Sequence, residues 1–171
     1  MFTGIIKTIC TVKSAHAAGG GMRLAVDLGK LADECKLGDS IAINGVCLTI
    51  AQLRGSLAEF DISGETLTKS TLGRSKSSSP VNAELAMKAA DRFGGHFVLG
   101  HVDGIATVKA ISRQGQFADI KFAASPGLLA QMVVKGSVAV DGISLTIANM
   151  DESSFSVSII PETLKQTTLG Q

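Results

Sequence analysis

The sequence predicts an all-β protein made of two tandem, homologous, six-stranded Greek-key β-barrels with short helices, the second lacking its closing strand. Three features lead to this prediction: an internal repeat, a turn signal at matching places in both copies, and 19 glycines against 3 prolines. Glycine-rich turns at regular spacing are typical of proteins with many short strands. Closed barrels follow because closure removes unpaired sheet edges.

The internal repeat comprises three blocks that recur in the same order, and such self-similarity identifies duplicated structural units. The offset between the copies is 96 or 97 residues throughout. The matching blocks are 4–13 with 100–109, 40–50 with 137–147, and 65–73 with 162–170. We therefore predict two domains, residues 1–90 and 96–171, with a linker over 89–95.

In the first copy, apolar and polar residues alternate over 22–28 after a Gly19-Gly20-Gly21 turn, a period of two that predicts a half-buried strand. A short helical insertion at 31–35 follows. Strands at 41–43 and 46–53 flank Asn44-Gly45, a dipeptide that favours the type I′ turn of a hairpin. The remaining elements of this copy are a helical turn that begins at Glu65 and a closing strand over 80–87.

The second copy repeats this order around its own turn signal, Asp141-Gly142, with strands at 138–140 and 143–149. A helical segment is predicted at 126–132, and a helical turn begins at Glu162. The sequence ends at Gln171, where a strand equivalent to 80–87 would follow. We expect either that the chain continues or that something else covers an unpaired sheet edge.

Charge and composition argue against several classes of function. The net charge is +1 from 16 basic and 15 acidic residues, and the only aromatic residues are 7 phenylalanines. A nucleic-acid-binding barrel would need a basic groove and stacking platforms. No segment approaches the ~18 apolar residues of a membrane span, and no signal peptide is recognisable. Cys10, Cys35 and Cys47 lack metal-ligand spacing and fit reduced thiols. We predict a cytoplasmic protein without nucleic-acid or membrane partners.

Several short motifs occur together and in a fixed order along the chain. They are MFTGII at 1–6, NGVCLT at 44–49, GGH at 94–96, GHVDG at 100–104, DGISLT at 141–146 and IPETL at 160–164. In combination they resemble the riboflavin synthase family of the alpha-chain type, with tandem lumazine-binding barrels. The resemblance runs from residue 1 to residue 171. Members of that family carry a further C-terminal strand and a helix associated with trimer formation.

The resemblance implies that each barrel binds one molecule of 6,7-dimethyl-8-ribityllumazine. One lumazine would donate a four-carbon unit to the other, giving riboflavin and 5-amino-6-ribitylamino-2,4-pyrimidinedione. No cofactor and no metal are implied, because the acidic C7 methyl group delocalises its charge into the substrate ring. Alignment of two bound reactants can supply about 7 to 11 kcal/mol of the barrier. A homotrimer with intersubunit active sites is also implied, and association with lumazine synthase is a further expectation.

Differences between the two copies point to residues that make the two sites unequal, as donor and acceptor roles require. Cys47 in the first copy becomes Ser144 in the second, and Ile5 becomes His101. His101 is the acid/base candidate because the unperturbed pKa of histidine lies near neutrality. Cys47 is a nucleophile or a polar contact in the pocket. The catalytic candidates are Ser40, Cys47, His101, Ser144 and Thr146.

A larger set of substrate-binding residues is implied by the resemblance. Thr49 and Thr146 lie two positions from the thiol or hydroxyl, on the same face of their strands. Glu65 and Glu162 would accept hydrogen bonds from ribityl hydroxyls, or stabilise the macrodipole of a helix. Lys135 would contact a ligand of the neighbouring subunit. The set is Gly4, Ile5, Ile6, Cys47, Leu48, Thr49, Asp61, Ile62, Ser63, Gly64, Glu65, Thr66, Gly100, His101, Val102, Lys135, Ser144, Leu145, Thr146, Ser158, Ile159, Ile160, Pro161, Glu162 and Thr163.

Several of these residues also have a purely structural interpretation. A free cysteine is often a small buried hydrophobic residue, and a lone histidine can be a hydrogen-bonded structural residue. Ser40 could cap its strand instead of activating an acceptor. His96, in the glycine-flanked linker, is interpreted as structural. Gly4 and Gly100 are expected to let backbone amides approach the ring closely.

Two other functions remain open. A non-catalytic lumazine- or flavin-binding antenna protein of the same fold is the main alternative. The catalytic candidates occur across both copies, which favours an enzyme. A flavin-dependent reductase barrel is a weaker alternative, because no glycine-rich nicotinamide-binding fingerprint follows in the sequence.

Overall fold

The computed structural model describes residues 1–171 and contains eleven strands and three short α-helices. The strands are β1 Thr8–Ala18, β2 Gly21–Asp27, β3 Ser40–Ile43, β4 Val46–Arg54, β5 Leu57–Ile62, β6 Pro80–Leu85, β7 Thr107–Gln114, β8 Phe117–Ala123, β9 Ser137–Val140, β10 Ile143–Asp151 and β11 Ser154–Ile159. The helices are α1 Gly64–Lys69, α2 Pro126–Leu129 and α3 Pro161–Gln166, with 3-10 turns at Gly29–Glu34, Thr71–Arg74 and Thr168–Gly170. None of the helices is long and apolar enough to span a membrane.

The first repeat forms a closed six-stranded barrel in the order β1-β2-β5-β4-β3-β6, with antiparallel pairs throughout. Closure depends on β6, which pairs with β1 on one side and with β3 on the other. Inward-facing apolar residues build a core of 17 buried residues. Leu24, Ile41 and Phe60 of this core are completely shielded from solvent. The predicted Greek-key barrel is confirmed for this repeat.

The second repeat forms a five-stranded sheet in the order β7-β8-β11-β10-β9. It lacks an equivalent of β6, so β7 and β9 are edge strands, and every residue of β7 is exposed. A cavity of about 560 Å³ lies on this side of the repeat, with Val108 of β7, Val138 of β9 and Phe122 of β8 in its wall. The smaller core holds a stacked pair, Phe122 and Phe155, whose ring centroids are 5.2 Å apart. The prediction of an incomplete second barrel is confirmed.

The two predicted hairpin turns have the backbone that the sequence required. Asn44 and Gly45 have φ values of 45° and 77°, and Asp141 and Gly142 have values of 45° and 79°. Positive φ at both central residues defines the type I′ turn, which matches the twist of paired strands. These two turns meet at the contact between the repeats, where an added Cβ on Gly45 would lie 2.6 Å from the amide nitrogen of Gly142.

The start of each repeat crosses to the other repeat. Residues 2–6, the first leader segment, and 98–102, the second leader segment, pair through two hydrogen bonds between Phe2 and Val98 of 2.8 and 3.1 Å. Ile6 then packs against the core of the second repeat, whereas Val102 packs against the core of the first. Each leader segment therefore also contacts the repeat to which it does not belong in sequence.

The contact between the repeats is also held by Asn82 of β6, which is fully buried. Its side-chain amide donates to the carbonyl of Asp141 at 3.0 Å, and its side-chain oxygen accepts from the amide of Thr168 at 2.9 Å. Burial without a charged partner raises the pKa of the Asp141 carboxyl, which also accepts from Thr71. The repeats thus share polar contacts as well as exchanged backbone.

A substitution at the contact between the two turns tests how tightly the repeats are joined. Gly45→Ala should lower the free energy of unfolding more than Gly55→Ala. Both place alanine at positive φ, which costs about 1 to 2 kcal/mol. Only Gly45→Ala also drives a methyl group into the opposite turn, because Gly55 has open space around it; such overpacking costs about 1 to 3 kcal/mol more. Urea unfolding of both variants measures the difference, and equal losses would contradict close contact of the turns.

Candidate functional site

The thiol and hydroxyl that the sequence singled out lie on the outer faces of their strands. Along β4, Val46, Leu48 and Ile50 are buried in the barrel core, while Cys47 and Thr49 alternate with them. A strand directs successive side chains to opposite faces, so Cys47 and Thr49 share the outer face. The same alternation in β10 puts Ser144 and Thr146 on the outer face of the second repeat.

This alternation divides the predicted substrate-binding residues into two groups. Leu48, Ile62, Leu145 and Ile159 are buried and belong to the two apolar cores. Their side chains fill the barrel interior, so only their backbone groups could reach a ligand on the outer face. The outward-facing residues that precede and follow them in the sequence keep their side chains available to contact a ligand.

Around Cys47 the second leader segment supplies the neighbouring residues. The amide of Cys47 donates to the carbonyl of Gly100 at 2.9 Å, which brings the adjoining, exposed His101 next to the thiol-bearing strand. The Cys47 side chain packs against a small buried cluster of Phe2, Ala42 and Val98. We call this arrangement the Cys47 subsite.

Two further predicted residues lie on the same outer face as Cys47. Ser40 of β3 is directly opposite Thr49 of β4 in the strand register, as Ala42 is opposite Cys47. The Ser40 hydroxyl makes no hydrogen bond with another protein group, so the strand-capping interpretation lacks support. Ser40, Cys47 and Thr49 thus share one outer face, and His101 adjoins that face through the hydrogen bond between Cys47 and Gly100.

Around Ser144 the first leader segment occupies the equivalent place. The amide of Ser144 donates to the carbonyl of Gly4 at 2.8 Å, so Ile5 adjoins this strand as His101 adjoins the other. Nδ1 of His96 lies 2.7 Å from the Ser144 hydroxyl oxygen. Burial lowers the pKa of His96, so its imidazole is held neutral near pH 7. We call this arrangement the Ser144 subsite.

His96 is the functional candidate that sequence reasoning missed, since it was interpreted as structural. In the sequence it was marked only by the GGH motif at 94–96. His101 adjoins the Cys47 strand through Gly100 and His96 contacts Ser144, while both histidines line the cavity of the second repeat. The two repeats therefore differ at the histidine beside each reactive strand as well as in the exchange of Cys47 for Ser144.

Gly4 and Gly100 are required by contacts within the protein. Their φ values are 77° and 82°, and an added Cβ would lie 2.7 Å from the Cβ of Ser144 or 2.5 Å from the Cβ of Cys47. No side chain fits at that distance. The structure shows that these glycines admit a strand of the opposite repeat; the approach of their amides to a ring stays a prediction.

The three cysteines are free and differ in environment. Burial raises the pKa of the Cys10 thiol to about 12, which makes it inert. Burial also raises the pKa of Cys35, whose Sγ lies 3.3 Å from the carbonyl oxygen of Leu31. Cys47 is the cysteine that reaches an outer face beside a histidine-bearing segment.

The segments predicted to hold the ribityl chain, 61–66 and 158–163, form the ends of β5 and β11 and the first turns of α1 and α3. Ser63 caps α1 by accepting the amide of Thr66 at 3.2 Å. Glu65 is exposed in that first turn and pairs with no cation. Glu162 occupies the same place in α3 and accepts from Gln166 at 2.9 Å, within the helix. Both glutamates also fit the helix-dipole interpretation.

Other predicted binding residues lie apart from the two subsites or are already partnered. Asp61 is paired with Arg23 at 2.8 Å on the surface, and Ser158 donates to Asp119. Lys135 is exposed in the turn before β9, where its amide donates to Ile147. No hydrogen bond or ion pair joins Lys135 to either subsite. No group of three or more histidine, cysteine, aspartate or glutamate side chains is arranged to hold a metal ion.

The duplicated barrels and their paired outer sites define a class of ligand-binding protein. Residues 3–86 and 99–171 each match the lumazine binding domain, so the repeat consists of two such domains. The fold resembles that of LumP crystallised with 6,7-dimethyl-8-(1′-D-ribityl) lumazine, with a TM-score of 0.89, 20% identity, and coverage of 99% of this chain and 92% of that one. LumP complexed with riboflavin gives a TM-score of 0.89 at 21% identity, over 98% and 91% of the chains.

Sequence comparison identifies the family within that class. The chain is 42% identical to riboflavin synthase of Actinobacillus pleuropneumoniae over 170 residues, which is 99% of this chain and 79% of that protein. It is 40% identical to the enzyme of Bacillus subtilis (strain 168), over 100% and 80% of the two chains. It is 41% identical to that of Chlamydia pneumoniae, over 100% and 84%. The chain belongs to the riboflavin synthase family, as its motifs predicted.

Proposed function

We propose that this chain converts two molecules of 6,7-dimethyl-8-ribityllumazine into riboflavin and 5-amino-6-ribitylamino-2,4-pyrimidinedione by transferring a four-carbon unit. The observation that carries the proposal is the pair of subsites with the same backbone frame and different reactive groups. One presents Cys47 with His101, and the other presents Ser144 with His96. A dismutation needs two identical substrates to bind in unequal surroundings, and the two subsites provide those surroundings.

In the Ser144 subsite, His96 and Ser144 are placed to move a proton. A neutral imidazole whose Nδ1 is unprotonated accepts the hydroxyl proton of Ser144, and the hydroxyl oxygen can then take a proton from the C7 methyl group of a lumazine. The resulting negative charge spreads into the substrate ring. Thr146, two positions along the same face, is proposed to hydrogen-bond that ring.

In the Cys47 subsite, the acceptor or donor lumazine meets a different set of groups. Cys47 is proposed as a nucleophile or polar contact, Ser40 as a hydrogen-bond donor, and His101 as the acid/base group. All three lie on or beside one outer strand face. On this face Thr49 is exposed, and Ala42 and Cys47 pack with Phe2 and Val98 of the two leader segments.

Because the leader segments cross over, each proposed binding site draws residues from both repeats. The Cys47 subsite combines 47–49 and 61–66 with 100–102, and the Ser144 subsite combines 144–146 and 158–163 with 4–6. The crossed hydrogen bonds from Cys47 to Gly100 and from Ser144 to Gly4 support this assignment. It places the ribityl chain near α1 or α3, where Glu65 and Glu162 are exposed.

The proposed assembly is a homotrimer in which two subsites from neighbouring subunits face each other. Both subsites lie on outer faces, so two rings can stack only if another barrel face opposes each one. Exposed apolar side chains on the leader segments and directly before the second one provide surface for such contacts; they are Ile5, Phe97 and Leu99. Lys135 is proposed to reach the ligand of a neighbouring subunit. We also propose a cytoplasmic location and an association with lumazine synthase.

A non-catalytic lumazine- or flavin-binding function is the alternative that shares this fold. The likeness to LumP, at 20% to 21% identity, fits both functions because it concerns the fold. The twofold higher identity to riboflavin synthases and the complete set of reactive groups in both subsites support the enzyme.

Incubation with 6,7-dimethyl-8-ribityllumazine tests the proposal directly. We expect riboflavin to appear in a ratio of one per two lumazines consumed, with a rate per chain that rises with protein concentration as subunits assemble. Absorbance and chromatography of the products measure both. Saturable lumazine binding without turnover would identify the non-catalytic alternative, and full activity in a demonstrably monomeric sample would refute the intersubunit sites.

Two substitutions separate the roles of Cys47 and His101. Cys47→Ser should keep measurable turnover, because serine preserves size and a hydrogen-bonding atom. His101→Gln should lower kcat by about 10² to 10⁴-fold, the usual contribution of a general acid or base, with little change in ligand affinity. Steady-state kinetics, with ligand binding measured separately, shows which substitution lowers kcat more. A larger loss of kcat in Cys47→Ser than in His101→Gln would show that the two roles are exchanged.

The pH profile tests the role of His96. Proton abstraction requires neutral His96, so activity should be present above its pKa and lost as pH falls through it. Because burial lowers the pKa of His96, this acid limb should lie below the value of about 6.5 usual for histidine. His96→Gln should lower kcat and remove that limb, while His16→Gln, in the exposed end of β1, should leave the profile unchanged. An acid limb that persists in His96→Gln would exclude His96 as the base.

A further inference from the structure

The closing strand of the first barrel carries a buried carboxylate that the reaction proposed above does not use. Glu84 of β6 is 2% exposed and has no cationic partner. Oε1 of Glu84 accepts the amide of Thr3 at 2.7 Å and its hydroxyl at 2.6 Å, and Oε2 accepts the amide of Gly4 at 2.9 Å. All three hydrogen bonds bind the first leader segment, which lies some 80 residues away in sequence.

The two residues held by Glu84 in turn hold both members of the histidine–serine pair. The carbonyl of Thr3 accepts the backbone amide of His96 at 3.1 Å, and the carbonyl of Gly4 accepts the backbone amide of Ser144 at 2.8 Å. His96 and Ser144 then meet through their side chains at 2.7 Å. Every link in this series is a hydrogen bond, and no other side chain in it is charged.

We propose that Glu84 is a positioning residue for the Ser144 subsite, fixing the Thr3–Gly4 unit whose carbonyls set the distance between His96 and Ser144. We call Glu84, Thr3 and Gly4 the Glu84 clamp. Glu84 belongs to the first barrel, whereas the pair that it positions belongs to the second repeat. The kinetic part of this inference rests on the proposed function; its structural part does not.

Energetics favour a carboxylate in this role. Both oxygens of Glu84 act only as acceptors, which an ionised carboxylate does with up to four lone pairs. Charge-assisted hydrogen bonds are about twice as strong as neutral ones, and they are stronger still away from water. An amide in place of the carboxylate would point an NH₂ group at N–H donors, so one side of the clamp would open.

The equivalent bond in the other subsite provides an internal control. The amide of Cys47 donates to the carbonyl of Gly100 at 2.9 Å, as that of Ser144 does to Gly4, but no hydrogen bond links Glu84 to Gly100. Cys47 lies in the same barrel as Glu84. General loosening of that barrel would therefore affect Cys47 first, whereas loss of the Glu84 clamp would affect Ser144 and His96.

Amide hydrogen exchange of Glu84→Gln, measured by NMR on the full chain without substrate, tests the clamp. We expect exchange at Ser144 and His96 to accelerate by at least about tenfold, a loss of about 1.4 kcal/mol in local stability, with exchange at Cys47 unchanged. The control is Val81→Ala, a core truncation in the same strand outside the Glu84 clamp. It should lower overall stability without a selective effect on Ser144 and His96.

Kinetics supply the second readout. Glu84→Gln should lower kcat by about 10- to 100-fold with a smaller change in KM, because small displacements of reacting groups have effects of this size. Val81→Ala should keep the kcat of the folded fraction. If the unmodified chain shows no turnover, the proposed function fails, and the exchange data alone decide the role of Glu84.

Should Glu84→Gln fail to fold, Thr3→Val replaces it. This change removes the hydroxyl donor but keeps the shape and both backbone bonds, and Thr3→Ser is its control because it retains the hydroxyl. Faster exchange at Ser144 and His96 in Thr3→Val but not in Thr3→Ser supports the clamp. Folded variants in which Ser144 and His96 stay as protected as in the unmodified chain, or in which Cys47 loses protection equally, overturn it.

Discussion

The reciprocal crossing of the two leader segments is the constraint on which the rest of this structure depends. Buried backbone carbonyls must find donors, and those of Gly4 and Gly100 find them in the opposite repeat, at Ser144 and Cys47. Single backbone hydrogen bonds contribute only about 1 kcal/mol each, so their importance lies in register more than in stability. They decide which residues of one repeat adjoin the reactive strand of the other.

Duplication followed by divergence explains how one fold can offer two unequal environments. The backbone frame is the same in both repeats: an outer strand face, a type I′ turn before it, and a crossing leader segment. The side chains placed on that frame differ, with a thiol beside His101 in one case and a hydroxyl bonded to His96 in the other. A reaction between two identical molecules needs this combination, since equal sites would give donor and acceptor no distinct roles.

The two repeats also differ in how completely they are closed. In the first repeat, β6 joins β1 to β3. Its outward side chains reach the second repeat through Asn82 and the first leader segment through Glu84. In the second repeat, β7 and β9 keep unpaired edges beside an apolar cavity. The strand β6, which completes the first barrel, therefore also contributes hydrogen bonds at the contact between the repeats. Through these bonds the first repeat helps to position both subsites.

The sequence alone determined the duplication, some strands of each copy, both hairpin turns and the family, because these depend on local periodicity and on short motifs. It also singled out Cys47, Ser144 and His101 as candidates, and it predicted that Thr49 and Thr146 share a strand face with the thiol or the hydroxyl. It could not assign His96 to Ser144 or Glu84 to Thr3, nor show that each leader segment serves the other repeat. Those relations join residues about 50 to 140 positions apart through a few hydrogen bonds, which leave no periodic trace in the sequence. Only packing of the two repeats against each other brings these groups together.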